Sequence, residues 1–224
     1  MDENRSAAPG AVRGVLFDLD GTLLDTAPDM VGALNELRRE HGLEPVPFSA
    51  GREQVSRGAV ALVNLGFATA PAEKLAELKL RFLTLYRARV SLETRAFAGS
   101  LELLDALEER GIRWGIVTNK PGWLTDPLLA ALGLHTRARV VVSGDTLAHA
   151  KPHPLPLLHA AREIDVSPGE CIYFGDDARD VQAARAAGMV SVVARFGYIP
   201  STEDPDRWPA HGWVGSPLEL LDWV

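Results

Sequence analysis

Apolar positions along this chain fall into two textures. Five short runs rich in β-branched or aromatic residues predict strands: VRGVLFD (12–18), RWGIVT (113–118), VVVSG (140–144), CIYFG (171–175) and SVVARF (191–196). Segments at 100–110, 121–132, 154–163 and 178–187 show helical spacing and alternate with those runs. Strands alternating with helices imply crossover connections and a parallel sheet covered on both faces, and the nearly continuous apolar character of the strands fits that burial. The expected fold class is α/β, with a Rossmann-like core of five parallel strands.

The interval 26–95 differs, because it contains no strand pattern and predicts helices at 27–41, 51–65 and 72–91. HGLEPVP and GFATAP separate them, since glycine and proline interrupt a helix there. Such a block is far longer than the usual strand connection of about 4 to 6 residues. It reads as a small helical cap inserted after the first strand, leaving 12–25 and 96–224 as the core. Residues 1–11 read as a disordered tail, and the Pro-, Gly- and Trp-rich stretch from Gly197 onward reads as an ordered loop closed by a short helix at 217–223.

Charge narrows the functions. Lys plus Arg number 23 against 30 Asp plus Glu, a formal net charge of −7, and no basic cluster exceeds two residues, which argues against a nucleic-acid partner. An anionic substrate must therefore be met by local positive groups. The single cysteine, Cys171, sits in an apolar run and reads as a buried hydrophobe in a reducing compartment. No apolar run approaches the length of a membrane span and the polar N-terminus lacks signal-peptide character, so the expected location is cytoplasmic, away from membranes.

In an open parallel sheet, ligands bind beyond the carboxyl ends of the strands. Here those ends carry Asp18 and Asp20, then Thr118 and Asn119, then Lys151 after the third strand, then Asp176, Asp177 and Asp180. So many carboxylates converging on one edge repel one another unless a cation is present. Hard oxygen ligands without a His or Cys cluster select Mg²⁺, which takes one or two carboxylates together with water and substrate phosphate. Mg²⁺ beside an ammonium and a hydroxyl is a phosphoryl clamp. A carboxylate there can attack phosphorus to form an aspartyl-phosphate, with a second carboxyl protonating the leaving alkoxide and then activating water. The offset of two residues in DLD supplies such a pair.

FDLDGTLLDT, VTNK, KPHP and GDDARD resemble, in order and spacing, the four motifs of the haloacid dehalogenase superfamily of phosphatases. The resemblance spans the chain and implies a C1-type helical cap at 26–95. It makes Asp18 the nucleophile and Asp20 the general acid/base whose carbonyl faces the metal. It assigns Thr118, Asn119 and Lys151 to the phosphoryl group, and Asp18, Asp20, Asp176 and Asp177 to Mg²⁺, with Asp180 steadying the loop or Lys151. Within the superfamily the chain is similar to phosphoglycolate phosphatase-like enzymes. LDTAPD, SRGAVALV and the tail GYIPSTEDPDRWPAHGWV resemble the bacterial N-acetylmuramic acid 6-phosphate phosphatases of peptidoglycan recycling.

Asp20 argues against dehalogenation, because a leaving halide needs no proton. A sugar phosphomutase keeps both aspartates, and a non-catalytic regulatory domain keeps the fold without the reaction; both remain alternatives. Phosphonate cleavage needs a buried cap lysine, whereas Lys74 and Lys79 lie in a helix with a solvated pattern. Arg57 and Gly58, in the SRG turn, are expected to contact a carboxylate-bearing substrate, Arg57 as a fork and Gly58 by close backbone approach. The expected partner is a small phosphorylated metabolite, and the assembly a monomer or homodimer.

Overall fold

The computed structural model describes residues 12–224; the tail expected at 1–11 lies outside the described residues. One parallel sheet organises the molecule. Its strands are β1 (Gly14–Phe17), β4 (Arg113–Val117), β5 (Val141–Val142), β6 (Cys171–Gly175), β7 (Val190–Ala194) and β8 (Gly212–Val214), in spatial order β5-β4-β1-β6-β7-β8. The sheet thus has six strands, one more than its apolar pattern predicts. β8 is three residues long, too short for alternation to register, and lies at the edge beside β7 in the stretch expected to be loop.

Alternation along the strands sorts side chains into two layers, because successive residues point to opposite faces. Val15, Phe17, Ile116, Ile172 and Phe174 join one core, while Leu16, Val117, Cys171 and Tyr173 join the other. Helices α7 (Leu155–Glu163) and α8 (Ala178–Ala186) cover the second face, and α5 (Ser100–Glu109) and α6 (Gly122–Ala131) contribute to the first. Cys171 is a buried free thiol pushed up to about 12 by burial, in keeping with a packing role.

The predicted helical interval comprises α1 (Ala27–Glu40), α2 (Phe48–Arg52), α3 (Gly58–Gly66) and α4 (Ala72–Ala88). The single helix expected at 51–65 is two: the chain turns at 53–57, and Gly58 has a φ of 79°, a left-handed conformation no helix interior adopts. Met30, Leu34, Leu62, Phe82 and Tyr86 bury these helices together and continue the first core. A two-strand neck not evident from the sequence pattern, β2 (Leu24–Asp25) antiparallel to β3 (Arg95–Ala96), brings the ends of the interval together. Buried Asp29 binds it further, accepting from the backbone N–H groups of Glu93 and Thr94 and from the Thr94 hydroxyl.

Candidate active site

Asp18 follows β1 directly, and its backbone N–H still donates to Phe174 on β6, so the carboxylate leaves the sheet at its central strand pair. Lys151 Nζ stands 2.8 Å from Asp18 Oδ1 and 2.8 Å from Asp180 Oδ1, and donates to the Tyr173 hydroxyl at 2.7 Å. An ammonium has three protons, so every donor of this buried lysine has a partner. Tyr173 passes the connection on by donating to the Val117 carbonyl at 2.7 Å. The backbone of Lys151 is fixed as well, since the Asn119 amide donates to its carbonyl at 2.9 Å and accepts from its N–H at 3.0 Å.

Asp176, buried at the end of β6, gathers three donors: the Thr22 hydroxyl at 3.1 Å, the Ser56 hydroxyl at 2.9 Å and the Tyr198 N–H at 2.7 Å. Gly21, with φ of 85°, and Gly197 lie so close to this carboxylate that a Cβ at either would collide with it. The tight turn after DLD is therefore a glycine requirement set by the size of the Asp176 side chain.

Burial is the main force on these acids. It pushes Asp18 up to about 7, aided by nearby Asp180 and Asp20 and opposed by Lys151. Asp176 is pushed well above the usual carboxylate range, again by burial first and then by Asp18 and Asp180. Burial alone would discharge Lys151, but Asp18 and Asp180 outweigh it and hold the ammonium charged.

Asp20 belongs to a second ion pair. Lys120 Nζ lies 2.8 and 3.0 Å from its two carboxylate oxygens, and the Thr26 hydroxyl donates to Oδ1 at 2.6 Å. Lys120 is buried, yet Asp20 and Tyr86 raise its pKa against the effect of burial. The Thr118 hydroxyl accepts from the Lys120 backbone N–H at 3.1 Å, so strand β4 presents both residues to the same cleft. Lys120 sits within the VTNK motif but was not among the expected site residues; a cation directly after a strand's polar end was the signal available.

Carboxylate oxygens of Asp18, Asp176 and Asp180 lie within 4.8 Å of one another. The fourth motif thus contributes Asp176 and Asp180 to the cluster, while the Asp177 carboxylate turns to Arg179. Asp177 caps α8, accepting from the Arg179 N–H at 2.9 Å and from its guanidinium at 2.8 and 2.9 Å, and Arg179 holds it below its usual range despite partial burial. Asp180 completes the capping box by accepting from the Asp177 N–H at 3.0 Å, and so serves both the loop and Lys151. Ser56, in the turn between α2 and α3, and Gly58, the first residue of α3, line the same cavity. The Arg57 guanidinium, at the cavity wall, pairs with Glu203.

A cavity of about 440 Å³ opens over Asp18, Asp20, Thr118 and Lys151, roofed by α3, α4 and the Ser56 turn. The four sheet-edge segments thus meet in one pocket, with the carboxylates of Asp18, Asp20 and Asp180 held by two ammonium groups on its floor.

Residues 12–188 match the family model for haloacid dehalogenase-like hydrolases. Over 210 residues the chain is 46% identical to a phosphoglycolate phosphatase of Xanthomonas campestris, covering 94% of this chain and 95% of the relative. Over 212 residues it is 39% identical to the N-acetylmuramic acid 6-phosphate phosphatase of Pseudomonas aeruginosa, covering 94% of each. A crystal structure of a predicted phosphoglycolate phosphatase from Haemophilus somnus superposes with a TM-score of 0.84 at 23% identity, covering 94% of this chain and 97% of that one, which is a likeness of fold. The chain belongs to the haloacid dehalogenase-like hydrolases.

Proposed function

We propose that this protein is a Mg²⁺-dependent phosphatase that hydrolyses a phosphomonoester of a small metabolite through an aspartyl-phosphate. The observation that carries the reading is the buried Asp18 carboxylate, ion-paired to Lys151 and open to the cavity at the carboxyl edge of the sheet. Asp18 attacks phosphorus, the ester P–O bond breaks, and the leaving alkoxide takes a proton from Asp20. Asp20 then accepts a proton from the water that attacks the phospho-enzyme, which returns phosphate and free Asp18. Lys120 and Thr26 hold Asp20 for both steps, while Lys151 and Thr118 face the phosphoryl oxygens.

The site fits a hard divalent cation. Three carboxylate oxygens cluster, and the Ser56 hydroxyl lies 2.9 Å from Asp176 Oδ2 and 3.4 Å from the Asp20 carbonyl, so those two oxygens share one small space. Asp180 is committed to Lys151 and the α8 cap, leaving Asp18, Asp176 and the Asp20 carbonyl to hold Mg²⁺. A bound Mg²⁺ supplies charge neutralisation for the carboxylates and the phosphoryl oxygens. In this reading 26–95 is a cap domain whose helices cover the leaving group, on a core of 12–25 and 96–224. The substrates named for the relatives, phosphoglycolate and N-acetylmuramic acid 6-phosphate, are the two to assay first.

Asp18→Asn is expected to lower kcat on p-nitrophenyl phosphate by at least about 10³-fold, with an unchanged circular dichroism spectrum, and chelation of Mg²⁺ to abolish turnover of the parent protein. Turnover by Asp18→Asn at the parent rate would remove the nucleophile from the reading.

A further inference from the structure

The cavity has two ends of different character. At the inner end, Lys151 pairs with Asp18 and Asp180, Lys120 with Asp20 and Arg179 with Asp177, while Arg57 pairs with Glu203 at the wall. Lys79 also lines the cavity, and among the described residues no acid lies within ion-pair distance of its ammonium. Lys79, Leu83 and Tyr86 are spaced i, i+4, i+7 on α4 and present one helix face to the cavity. Tyr86 marks the inner end, since its ring lies 4.7 Å from Lys120 Nζ, the group that binds Asp20. Seven residues of helix rise place Lys79 roughly 10 Å further along the axis.

Two more observations point to a ligand. Tyr86 lines the cavity, and its buried hydroxyl, beside the Lys120 ammonium, has no aligned hydrogen-bond partner among the described residues, an arrangement that costs free energy until something satisfies it. Trp123 on α6, also lining the cavity, is 41% exposed, and its backbone is anchored by Arg87 of α4, whose guanidinium donates to the Trp123 carbonyl at 2.5 Å. The two helices therefore hold an amphiphilic trough beyond the reacting groups: a phenol, an aliphatic and indole wall, then a free ammonium.

We propose that α4 reads the far end of the substrate. Tyr86 takes a hydrogen bond from or to the middle of the leaving group, Leu83 and Trp123 contact its apolar part, and Lys79 pairs with a distal carboxylate. The inference rests on the phosphatase reading and deepens it: the substrate class is a carboxylated sugar phosphate. In phosphoglycolate the carboxylate stands only a few bonds from phosphorus, too near the reacting end to reach Lys79. An acylated sugar acid phosphorylated opposite its acid side chain spans the trough.

Binding can be measured by calorimetry in Mg²⁺ on the Asp18→Asn protein, which separates recognition from turnover. N-acetylmuramic acid 6-phosphate is expected to bind about tenfold tighter than N-acetylglucosamine 6-phosphate, which lacks the carboxylate. Adding Lys79→Gln should cut that preference about three- to tenfold and leave the neutral sugar phosphate unchanged. In the protein with Asp18 intact, Lys79→Gln should raise KM for the carboxylated sugar and spare kcat. A preference untouched by Lys79→Gln, or phosphoglycolate binding as tightly as the acylated sugar acid, would overturn the proposal. If no phosphomonoester released phosphate while the binding pattern held, the phosphatase reading alone would fall.

Discussion

The floor and the outer wall of the cavity are built on opposite principles. On the floor, the ammonium of Lys151 spends its three donors on Asp18, Asp180 and Tyr173, and Asp176 accepts from Thr22, Ser56 and Tyr198. Along the α4 wall that leads outward, the Tyr86 hydroxyl has no aligned partner and Lys79 no acid, both among the described residues. The contrast separates two tasks. Groups that must meet a transition state benefit from being fixed beforehand, because any reorganisation during the reaction would add to the barrier. Groups that must discriminate between substrates gain most when the ligand itself satisfies them, because an analogue lacking the matching atom then leaves a polar group unpaired.

The hardest way to break the floor is to remove its central cation. Lys151→Met leaves Asp18 and Asp180 facing each other without a cation, so unfolding by denaturant should show a loss of about 3–5 kcal/mol, and turnover should fall by about 10²-fold or more. A loss under about 1 kcal/mol would show that the floor does not act as one coupled unit.

Proton linkage tests the same floor with an opposite sign. Folding raises Asp18 from its ordinary 3.8 to about 7, so between those values the folded chain holds a proton that the unfolded chain has released. Stability from this group therefore declines as pH rises through that window, in protein free of divalent ions. Asp176 acts in the same direction and Asp177 in the other, so the informative quantity is the difference between the parent and Asp18→Asn. Asparagine cannot ionise, and the variant should gain on the parent from about pH 4 to about pH 7, reaching a few kcal/mol. A difference that stays flat across that window in thermal unfolding would contradict the burial assigned to Asp18.

The outer wall should respond weakly to the same stability measurements. Trp123→Ala is expected to change unfolding free energy by under about 1 kcal/mol while raising KM for a sugar phosphate a few-fold. A larger stability loss would make Trp123 a structural prop rather than a contact surface.

Long apolar segments were enough to determine the layered α/β core and its five longer-patterned strands, because burying a strand on both faces demands a run of β-branched and aromatic residues that local sequence displays openly. From that topology followed the gathering of Asp18, Asp20, Thr118, Lys151 and Asp176 at one edge. The two-residue strands of the neck and the three-residue β8 escaped notice, since so few residues carry no period. Partner choice was likewise a matter for the tertiary structure. That Asp180 rather than Asp177 faces Asp18 depends on which side of the α8 cap each carboxylate takes, and that Lys120 reaches Asp20 depends on a contact between residues a hundred positions apart. Periodicity records how deeply a segment is buried. Which charged atoms then meet is decided by side-chain geometry, through hydrogen bonds and ion pairs that act over a few ångströms and leave no trace in local spacing.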